Sequence, residues 1–294
     1  MDIQTKKILF IVNPVSGTGR QKRFEKRIDK FLDKSRYTYK IAFSDYPGHA
    51  IELSRQAMQE NTDIVVAVGG DGTVNEVGRS LVGTESALAI IPTGSGNGLA
   101  RHLGIPMSFR RSLEIVNRGK IRNIDTGSLN GRVFLNIAGV GFDAHIARKF
   151  DQTQRRGFFT YFHIATSSYK KYKPKKYKLI VDGTPVKRKA FMISFANSSQ
   201  FGNNASIDGR AKIDDGLLDV CIVKKLPFWK VIILSPLLFV KKFERTPYVE
   251  IIQAKEISVE REKGRYIHLD GDPVQQGKSF TVLIHPLSLH IIVP

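Results

Sequence analysis

A glycine-rich turn that contains one carboxylate follows a strongly apolar segment in the N-terminal half of the sequence. Residues 63–68 (Asp-Ile-Val-Val-Ala-Val) predict a buried strand, and residues 69–78 (Gly-Gly-Asp-Gly-Thr-Val-Asn-Glu-Val-Gly) predict a turn that leads into a helix. Glycines let an anion approach the main chain, and the free N–H groups at a helix start bind phosphate. Asp71 lies inside the turn, where its carboxylate would repel a phosphate unless a cation lay between them. The pattern therefore predicts a nucleotide phosphate site with Mg²⁺, although its spacing matches neither the P-loop nor the G-x-G-x-x-G signature.

Two further strand-to-loop transitions have the same character. Residues 87–91 are apolar and precede Pro-Thr-Gly-Ser-Gly-Asn-Gly at 92–98, and residues 7–12 precede an Asn-Pro-Val-Ser-Gly segment at 13–17. In an open parallel sheet such loops gather at the carboxyl edge of the strands, where ligands bind. One glycine turn could be a purely structural feature, whereas three polar turns at one edge favour a binding site.

Six short blocks carry a resemblance to a known family. They are N-P-x-S-G at 13–17, G-G-D-G-T-x-N-E at 69–76, P-x-G-S-x-N at 92–97, G-x-G-F-D-A at 139–144, D-D-G-x-L-D at 214–219 and x-D-G-D at 269–272. In this order they resemble the diacylglycerol kinase catalytic-domain family, which includes bacterial lipid kinases and sphingosine kinases. The resemblance covers nearly the whole chain. NAD kinases and 6-phosphofructokinases resemble this family in that they share the G-G-D-G turn.

The resemblance implies roles for individual residues. The residues implied to contact the nucleotide are Asn13, Ser16, Gly17, Ser44, Gly70, Asp71, Gly72, Thr73, Asn75, Glu76, Ser95 and Asn97. Asp71 would organise the Mg²⁺ that accompanies ATP. Asp272, at the position of the family's glutamate, would be the base that accepts the proton of the acceptor hydroxyl.

A second, structural Mg²⁺ is implied at Asp215, together with the backbone carbonyls of Lys212 and Leu217. The alternative for both Asp215 and Asp272 is an ordinary Asp-Gly turn. Ser95-Gly96-Asn97-Gly98 lacks the acid that often follows this asparagine in bacterial diacylglycerol kinases and looks more like sphingosine kinases. The acceptor lipid therefore stays open between diacylglycerol and a sphingoid long-chain base.

The net charge of +19 predicts an acidic partner. Residues 170–178 hold six lysines, and each lysine close to an anionic membrane could contribute ~1 kcal/mol. No pattern for reading nucleic-acid bases is present, so we expect no specific nucleic acid partner. A single cysteine excludes an internal disulfide, and no signal peptide is recognisable. These observations predict a cytoplasmic protein that associates peripherally with an anionic membrane surface.

The most apolar segment, residues 226–240, is too short to span a bilayer and contains Lys230 and Pro236. It predicts either a segment that lies in the membrane interface or a helix packed on its own domain, and both can hold.

Secondary-structure patterns divide the chain in two. Alternating strand and helix patterns over residues 1–122 predict a doubly wound, NAD kinase-like α/β domain, and short strands over residues 123–288 predict an antiparallel β-sandwich that binds the lipid substrate. By resemblance, the last strand, 289–294, returns to the first domain. We expect an ATP-dependent lipid kinase of phospholipid metabolism, with a homodimer left open. A kinase of a soluble acceptor and a non-catalytic lipid- or nucleotide-binding protein remain the alternatives.

Overall fold

The chain folds into two compact units in a computed structural model that describes residues 5–14, 21–153, 158–200 and 205–294. The first unit is Met1–Ile124 with Leu287–Pro294, and the second is Asp125–Pro286. Ser16 and Gly17, both predicted to contact nucleotide, lie outside the described residues.

The first unit is built on a parallel sheet. Its strands are β1 (Lys6–Val12), β2 (Tyr37–Phe43), β3 (Ile64–Gly69) and β4 (Ala87–Pro92), in the order β2-β1-β3-β4. Every residue of β3 and β4 is buried, as is typical of parallel sheets. The end of the chain's last strand joins this sheet, because Ile291 pairs in parallel with Leu88 of β4.

Helices alternate with these strands, which confirms the α/β class of the first unit. They are α1 (Gln21–Phe31), α2 (His49–Gln59), α3 (Asp71–Leu81), α4 (Gly98–His102) and α5 (Phe109–Arg118). The helix α3 packs on β3 and β4, so the glycine turn between β3 and α3 lies at the carboxyl edge of the sheet.

The second unit is rich in antiparallel strands. These are β5 (Ile121–Leu129), β6 (Arg132–Phe134), β7 (Ile137–Gly141), β8 (Lys175–Val181), β9 (Thr184–Ala190), β10 (Met192–Ala196), β11 (Leu218–Val223), β12 (Val249–Ala254), β13 (Glu256–Arg261), β14 (Arg265–Leu269), β15 (Asp272–Gln276) and β16 (Ser279–Ile292). One sheet has the order β12-β11-β10-β7-β14-β15, and in the other β13 lies between β16 and β8, with β9 beyond β8.

The two sheets of the second unit share one apolar core, which confirms the predicted sandwich. Val140, Phe195 and Val220 come from one sheet, and Leu179 and Val259 come from the other. Residues i and i+2 of a strand point to the same face, so alternate residues of each strand supply this core.

Among the described residues, the α-helices of the second unit are α6 (Phe142–Asp151), α7 (Phe158–Tyr169), α8 (Phe228–Leu234) and α9 (Pro236–Phe239). The apolar segment 226–240 thus forms two short helices. Val231 and Leu238 pack on a core of the unit, whereas Trp229 and Ile233 stay exposed. No helix in the described part of the chain is long and apolar enough to cross a membrane.

Candidate active site

The glycine turn leads directly from β3 into α3. Gly70 caps the helix in an extended conformation, and its carbonyl accepts the hydrogen bond of the Val74 amide at 3.0 Å. The first N–H groups of a helix have no partner within the helix, so they form a local positive end for an anion. The predicted turn and helix start are therefore present.

The first predicted loop contacts the glycine turn. The backbone N–H of Asn13 donates to the carbonyl of Val68 at 3.0 Å, and its side-chain Nδ2 donates to Oγ1 of Thr73 at 3.2 Å. Ser44 follows β2 in the neighbouring loop, where its backbone N–H donates to the carbonyl of Val12 at 3.0 Å. These bonds bring the loops after β1, β2 and β3 to one edge, as the sequence predicts.

Glu76 also links two loops. Its Oε1 accepts a hydrogen bond from the backbone N–H of Gly48 at 2.9 Å. Gly48 precedes α2 with a φ of 91°, a conformation that glycine adopts readily. The carboxylate of Glu76 therefore positions the start of α2 against α3.

Asp71 connects the glycine turn to the third predicted loop. Its Oδ2 accepts from the backbone N–H of Asn97 at 2.8 Å, and its Oδ1 accepts from that of Gly98 at 2.6 Å. Burial raises the pKa of this carboxyl group, while the two N–H donors oppose the rise. Asp71 thus fixes one loop against another, a role that sequence reasoning did not assign to it.

The third loop approaches the glycine turn very closely. A Cβ atom built on Gly94 would lie 2.5 Å from Cα of Gly70, and one built on Gly96 would lie 2.5 Å from Oδ2 of Asp71. Such distances are too short for any side chain. Glycine is therefore favoured at 94 because two backbones pack together there, and at 96 because a side chain would displace the carboxylate of Asp71.

Two asparagines at this edge have buried atoms with no hydrogen-bond partner among the described residues. In Asn75 both amide atoms lack a partner, and in Asn97 the Oδ1 atom lacks one. Their side chains are 2% and 5% exposed, respectively. An unsatisfied buried polar group costs about 1–3 kcal/mol, so these atoms suit a polar ligand. Ser95, by contrast, is exposed, and Gly72 is exposed at the start of α3.

This set of groups fits a magnesium-bound nucleotide phosphate. Mg²⁺ prefers oxygen ligands, and each carboxylate oxygen of Asp71 can accept more than the one hydrogen bond described. The metal role of Asp71 nevertheless stays a prediction, because both of its oxygens already hold backbone N–H groups.

A second acidic turn lies in the second unit, between β14 and β15. Asp270 accepts three backbone hydrogen bonds, from Leu135 and Asn136 at 2.7 Å and from Ile137 at 2.9 Å. Burial raises its pKa to about 6, against the lowering effect of those three donors. The turn that Asp270 anchors carries Asp272, which is exposed at the first position of β15. The base role of Asp272 stays a prediction.

The turn with Asp215 is also anchored by a buried carboxylate. Asp125 is fully buried and accepts the N–H of Gly216 at 2.7 Å, while Oδ1 of Asp215 accepts the N–H of Leu217 at 3.2 Å. No group of three or more His, Cys, Asp or Glu side chains able to hold a metal occurs among the described residues. A cation here would depend on Asp215 and backbone carbonyls such as those of Lys212 and Leu217. These are hard oxygen donors that suit Mg²⁺, and this site too stays a prediction.

The second unit also contains an apolar cavity of about 390 Å³. Its walls come from α6, α7, α8 and β10, and six of the lining residues are Phe142, Ile146, Tyr169, Phe191, Phe228 and Leu238. Most of the lining side chains are apolar, and such a lining suits hydrocarbon chains.

One buried carboxylate, Asp143, interrupts this apolar lining. Its Oδ2 lies 3.2 Å from Nε2 of His268 and accepts from the hydroxyl of Ser194 at 3.3 Å, and its Oδ1 accepts the backbone N–H of Ala144 at 2.7 Å. Asp143 is 6% exposed, so its charge depends on these partners.

Large apolar side chains are exposed on the helices that form this cavity. On α7, Phe159 is 86% exposed and Phe162 is 56% exposed, and on α8, Trp229 and Ile233 are 59% and 63% exposed. Phe162 itself lines the cavity. We name the exposed apolar residues of α7 and α8 the apolar rim. Such a patch marks an interaction surface rather than ordinary solvent-exposed helix.

Sequence reasoning missed several of these groups. Asp270 and Asp143 each occur in a block that carried the family resemblance, so a signal was present, but the backbone partners of Asp270 and the His268 partner of Asp143 are more than 100 residues away in the chain. The pairing of His268 with Asp143 has no local signature in the sequence.

Comparisons with known proteins agree with this architecture. Residues 7–129 match the family described as "Diacylglycerol kinase catalytic domain", and residues 136–293 match the "YegS C-terminal NAD kinase beta sandwich-like domain". A crystal structure of a diacylglycerol kinase from Bacillus anthracis str. Sterne superposes with a TM-score of 0.77 at 22% identity, over 99% of this chain and 98% of that one. That similarity establishes the fold.

Curated relatives extend over most of the chain. A "Probable lipid kinase YegS-like" from Chromohalobacter salexigens is 30% identical, covering 84% of this chain and 81% of the relative. A diacylglycerol kinase from Mycobacterium tuberculosis is 28% identical, covering 90% and 88%, and one from Bacillus subtilis is 23% identical, covering 98% and 97%. With both units matched along their length, the chain belongs to the diacylglycerol kinase catalytic-domain family, a family of lipid kinases.

Proposed function

We propose that this protein transfers the γ-phosphate of ATP to a hydroxyl group of a membrane lipid, either diacylglycerol or a sphingoid long-chain base. The observation that carries the proposal is the apolar cavity of the second unit, together with the exposed apolar rim on the helices that form it. A soluble acceptor would need neither.

The edge of the first unit would hold the nucleotide. The N–H groups at the start of α3 and the glycine backbone at 70 and 72 suit the phosphates, and the partnerless amides of Asn75 and Asn97 suit the polar groups of the same ligand. Asn13, Thr73, Ser44 and Glu76 would keep the loops in place through their hydrogen bonds. Mg²⁺ would supply charge neutralisation of the phosphates, with Asp71 as its proposed protein partner.

Asp272 would accept the proton of the lipid hydroxyl. Two observations support this role: the carboxylate is exposed at the start of β15, and Asp270 holds its turn with three backbone bonds. General-base catalysis of this type contributes about 10²–10⁴-fold to the rate. The side chain is one methylene shorter than the family's glutamate, so the distance from the base to the hydroxyl depends on this turn.

The apolar rim would insert into the membrane interface while nearby lysines contact anionic headgroups. Nζ of Lys230 lies 5.2 Å from the ring of Trp229, and Nζ of Lys170 lies 5.0 Å from the ring of Phe228. Apolar and basic side chains side by side are the features that hold proteins at anionic membranes. A substrate lipid could then enter the cavity from the bilayer.

The direct test is incubation of the purified protein with labelled ATP, Mg²⁺ and a panel of lipids, followed by separation of the products. The panel should contain diacylglycerol, a sphingoid base and phosphatidylglycerol, with NAD as the soluble acceptor. We expect label in a lipid and none in NAD. Label in NAD alone, or in no acceptor while Mg-ATP still binds, contradicts the proposal.

Substitution of Asp272 tests the mechanism separately. Asp272→Ala is expected to lower turnover by about 10²–10⁴-fold, because the hydroxyl loses its proton acceptor while nucleotide binding is preserved. Asp272→Glu serves as the matched variant and should keep much of the activity, since it restores the family's residue. Unchanged turnover in Asp272→Ala removes this residue from the mechanism.

A further inference from the structure

A second cavity in the second unit, of about 440 Å³, has a strongly basic lining. Its walls come from β8, β14, α6 and the turn between β13 and β14. The cationic side chains that line it are Arg148, Lys175, Lys176, Arg261, Lys263 and Arg265, and the acidic residue among the lining residues is Glu262. We name this space the basic cavity. It shares no lining residue with the apolar cavity.

Arg261 forms a buried, positively charged part of the basic cavity. It is 8% exposed, and its guanidinium donates to the backbone carbonyls of Arg265 at 2.7 Å, Gln276 at 2.8 Å and Gly277 at 3.0 Å. Carbonyl oxygens satisfy its hydrogen bonds without cancelling its charge. The hydrogen bonds therefore fix a full positive charge beneath the cavity surface.

The other cations are equally uncompensated. Within the described part of the chain, none of Lys175, Arg148 and Arg265 forms an ion pair with a carboxylate. Burial, followed by the charges of Arg265 and Arg261, lowers the pKa of Lys175 to about 8. The pKa of His145 is also lowered, by burial and then by Lys149 and Lys175. Like charges held together in this way destabilise each other, and a bound anion would relieve the repulsion.

Aromatic side chains form part of the same wall and hold two of the cations. The guanidinium of Arg148 lies 4.2 Å from the ring centroid of Tyr266, and Nζ of Lys175 lies 4.9 Å from that of Tyr172. The hydroxyl of Tyr172 is buried and has no hydrogen-bond partner among the described residues. A buried hydroxyl without a partner is uncommon and is an independent sign that a polar ligand belongs here.

The surface next to the cavity increases the positive field. Lys176 is directly opposite Lys189 on the paired strands β8 and β9, and both are exposed. Lys178, opposite Lys187, is instead paired with Glu260 of β13, with 3.2 Å between Nζ and Oε1. Like charges directly opposite each other destabilise a sheet. Lysines on an edge strand can prevent aggregation, but lysines with only that task need not lie opposite each other.

We propose that the basic cavity binds a phosphate group. Six cationic side chains around one concavity suit a dianion better than a monocarboxylate, and arginine and lysine are the residues that hold phosphate oxygens. The phosphate could belong to a water-soluble phosphomonoester or to the headgroup of an anionic phospholipid. This proposal does not depend on the kinase reaction, because none of the cavity's residues has a role in it.

The reactivity of Lys175 provides a local measurement of occupancy. A lysine with a pKa of about 8 is half neutral at pH 8, so it reacts with an acylating reagent faster than ordinary surface lysines do. A bound phosphate would restore the charged form and cover the amine. We expect millimolar glycerol 3-phosphate to slow acylation of Lys175 by about tenfold or more, as measured by peptide mass spectrometry on the full-length protein.

Lys173 is the matched internal control, since it is exposed in the same lysine-rich segment but does not line the cavity. Its acylation should not change. Sodium chloride at the same ionic strength controls for screening and should protect Lys175 much less than glycerol 3-phosphate does.

Two further measurements define the site and the source of the phosphate. Arg265→Gln removes an exposed cation of the cavity and should reduce protection of Lys175 at least several-fold, whereas Lys173→Gln should leave it intact. Vesicles with anionic phospholipid, compared with neutral vesicles, distinguish a headgroup from a soluble ester. Protection only by anionic vesicles assigns a lipid headgroup, and protection by glycerol 3-phosphate assigns a soluble ester.

The proposal is wrong if neither probe protects Lys175 more than matched chloride does. It is also wrong if Lys173 is protected to the same extent, or if Arg265→Gln and Lys173→Gln behave alike. Binding of the probes at the nucleotide edge of the first unit does not affect this readout, because the label is located by peptide.

Discussion

The glycine-turn edge of the first unit and the cavities of the second unit differ in whether their polar side chains have hydrogen-bond partners. At the edge, Asp71, Glu76 and Asn13 each hold a neighbouring loop through a hydrogen bond of 2.6–3.2 Å. In the basic cavity, Lys175 and Arg265 have no such partner among the described residues, and at the apolar rim Trp229 is exposed. The edge is pre-organised by its own contacts, whereas the cavities and the rim present charged or apolar side chains that a ligand or a surface could contact.

The largest effect should follow from breaking the pre-organised edge at Asp71. Asp71→Asn leaves one acceptor oxygen where two backbone N–H groups need acceptors, and the new amide would face the other N–H group. Hydrogen bonds to charged groups contribute about 1.5–3 kcal/mol each, so we expect destabilisation by about 2–4 kcal/mol and a loss of at least ~100-fold in turnover.

Denaturant unfolding and a lipid phosphorylation assay measure these two effects. Asp63→Asn is the matched control, because Asp63 accepts one backbone N–H, from Lys7, at an exposed position. Equal stability losses in the two variants would mean that Asp71 does not hold the loops together.

The apolar rim should show the next largest effect. Trp229→Glu with Ile233→Glu removes two exposed apolar side chains from the surface that we propose faces the membrane. Partial burial of such side chains contributes about 2–3 kcal/mol in total, so cosedimentation with anionic vesicles should weaken by about 30–100-fold. High salt should weaken it further by screening the lysines.

Stability should change little in this double variant, since exposed substitutions usually stay within ±0.5 kcal/mol. Ile121→Glu, at a 44% exposed position in the first unit, is the control and should leave vesicle binding unchanged. Unaltered binding of the double variant would show that the rim does not face the membrane.

A smaller effect should distinguish two glycines of this edge, because Gly94 is packed against backbone whereas Gly72 has open space next to it. Gly94→Ala places a methyl group 2.5 Å from Cα of Gly70, so the two loops must move apart, at a cost of about 1–3 kcal/mol. Gly72→Ala meets no atom within 4 Å and lies in α3, where alanine is the better helix former.

Thermal unfolding should therefore show a lower Tm for Gly94→Ala and an equal or higher Tm for Gly72→Ala. If Gly72→Ala keeps its Tm but loses ATP affinity, a phosphate approaches the backbone at this glycine. Equal Tm values for the two variants would argue against close packing of the loops.

The smallest effect concerns the uncompensated charge of Lys175. Its pKa is about 8 in the folded protein and near 10.5 when unfolded, so the unfolded chain binds more protons between these values and stability rises with pH across that window. Lys175→Gln should consequently be more stable than the unsubstituted protein at pH 7, and the difference should disappear near pH 10.

Thermal unfolding of both proteins at the two pH values measures this difference. Lys173→Gln, the same change at an exposed position nearby, should show no pH-dependent gain. A Lys175→Gln variant that is less stable at pH 7 would mean that the lysine has a stabilising partner.

The sequence alone was sufficient to predict the strands of the first unit and the edge at which its polar loops gather. Runs without polar residues, such as 64–68 and 87–91, predicted buried parallel strands, and the glycine turns located the carboxyl edge where Asn13, Gly70 and Asn97 meet. These features are local, since period, composition and turn residues act over a few positions. The family blocks also identified the fold class, which both matched domains confirm.

Tertiary structure decided what the individual side chains do. The sequence predicts a metal beside Asp71, which stays a prediction, and the fold adds a second role by giving its two oxygens to backbone N–H groups 26 and 27 residues away. Asp270 and Asp143 find partners more than 120 residues distant, and the basic cavity gathers cations from α6, β8, β13 and β14. Such partnerships depend on which strands become neighbours, and residue spacing along the chain carries no information about a contact that only chain folding creates.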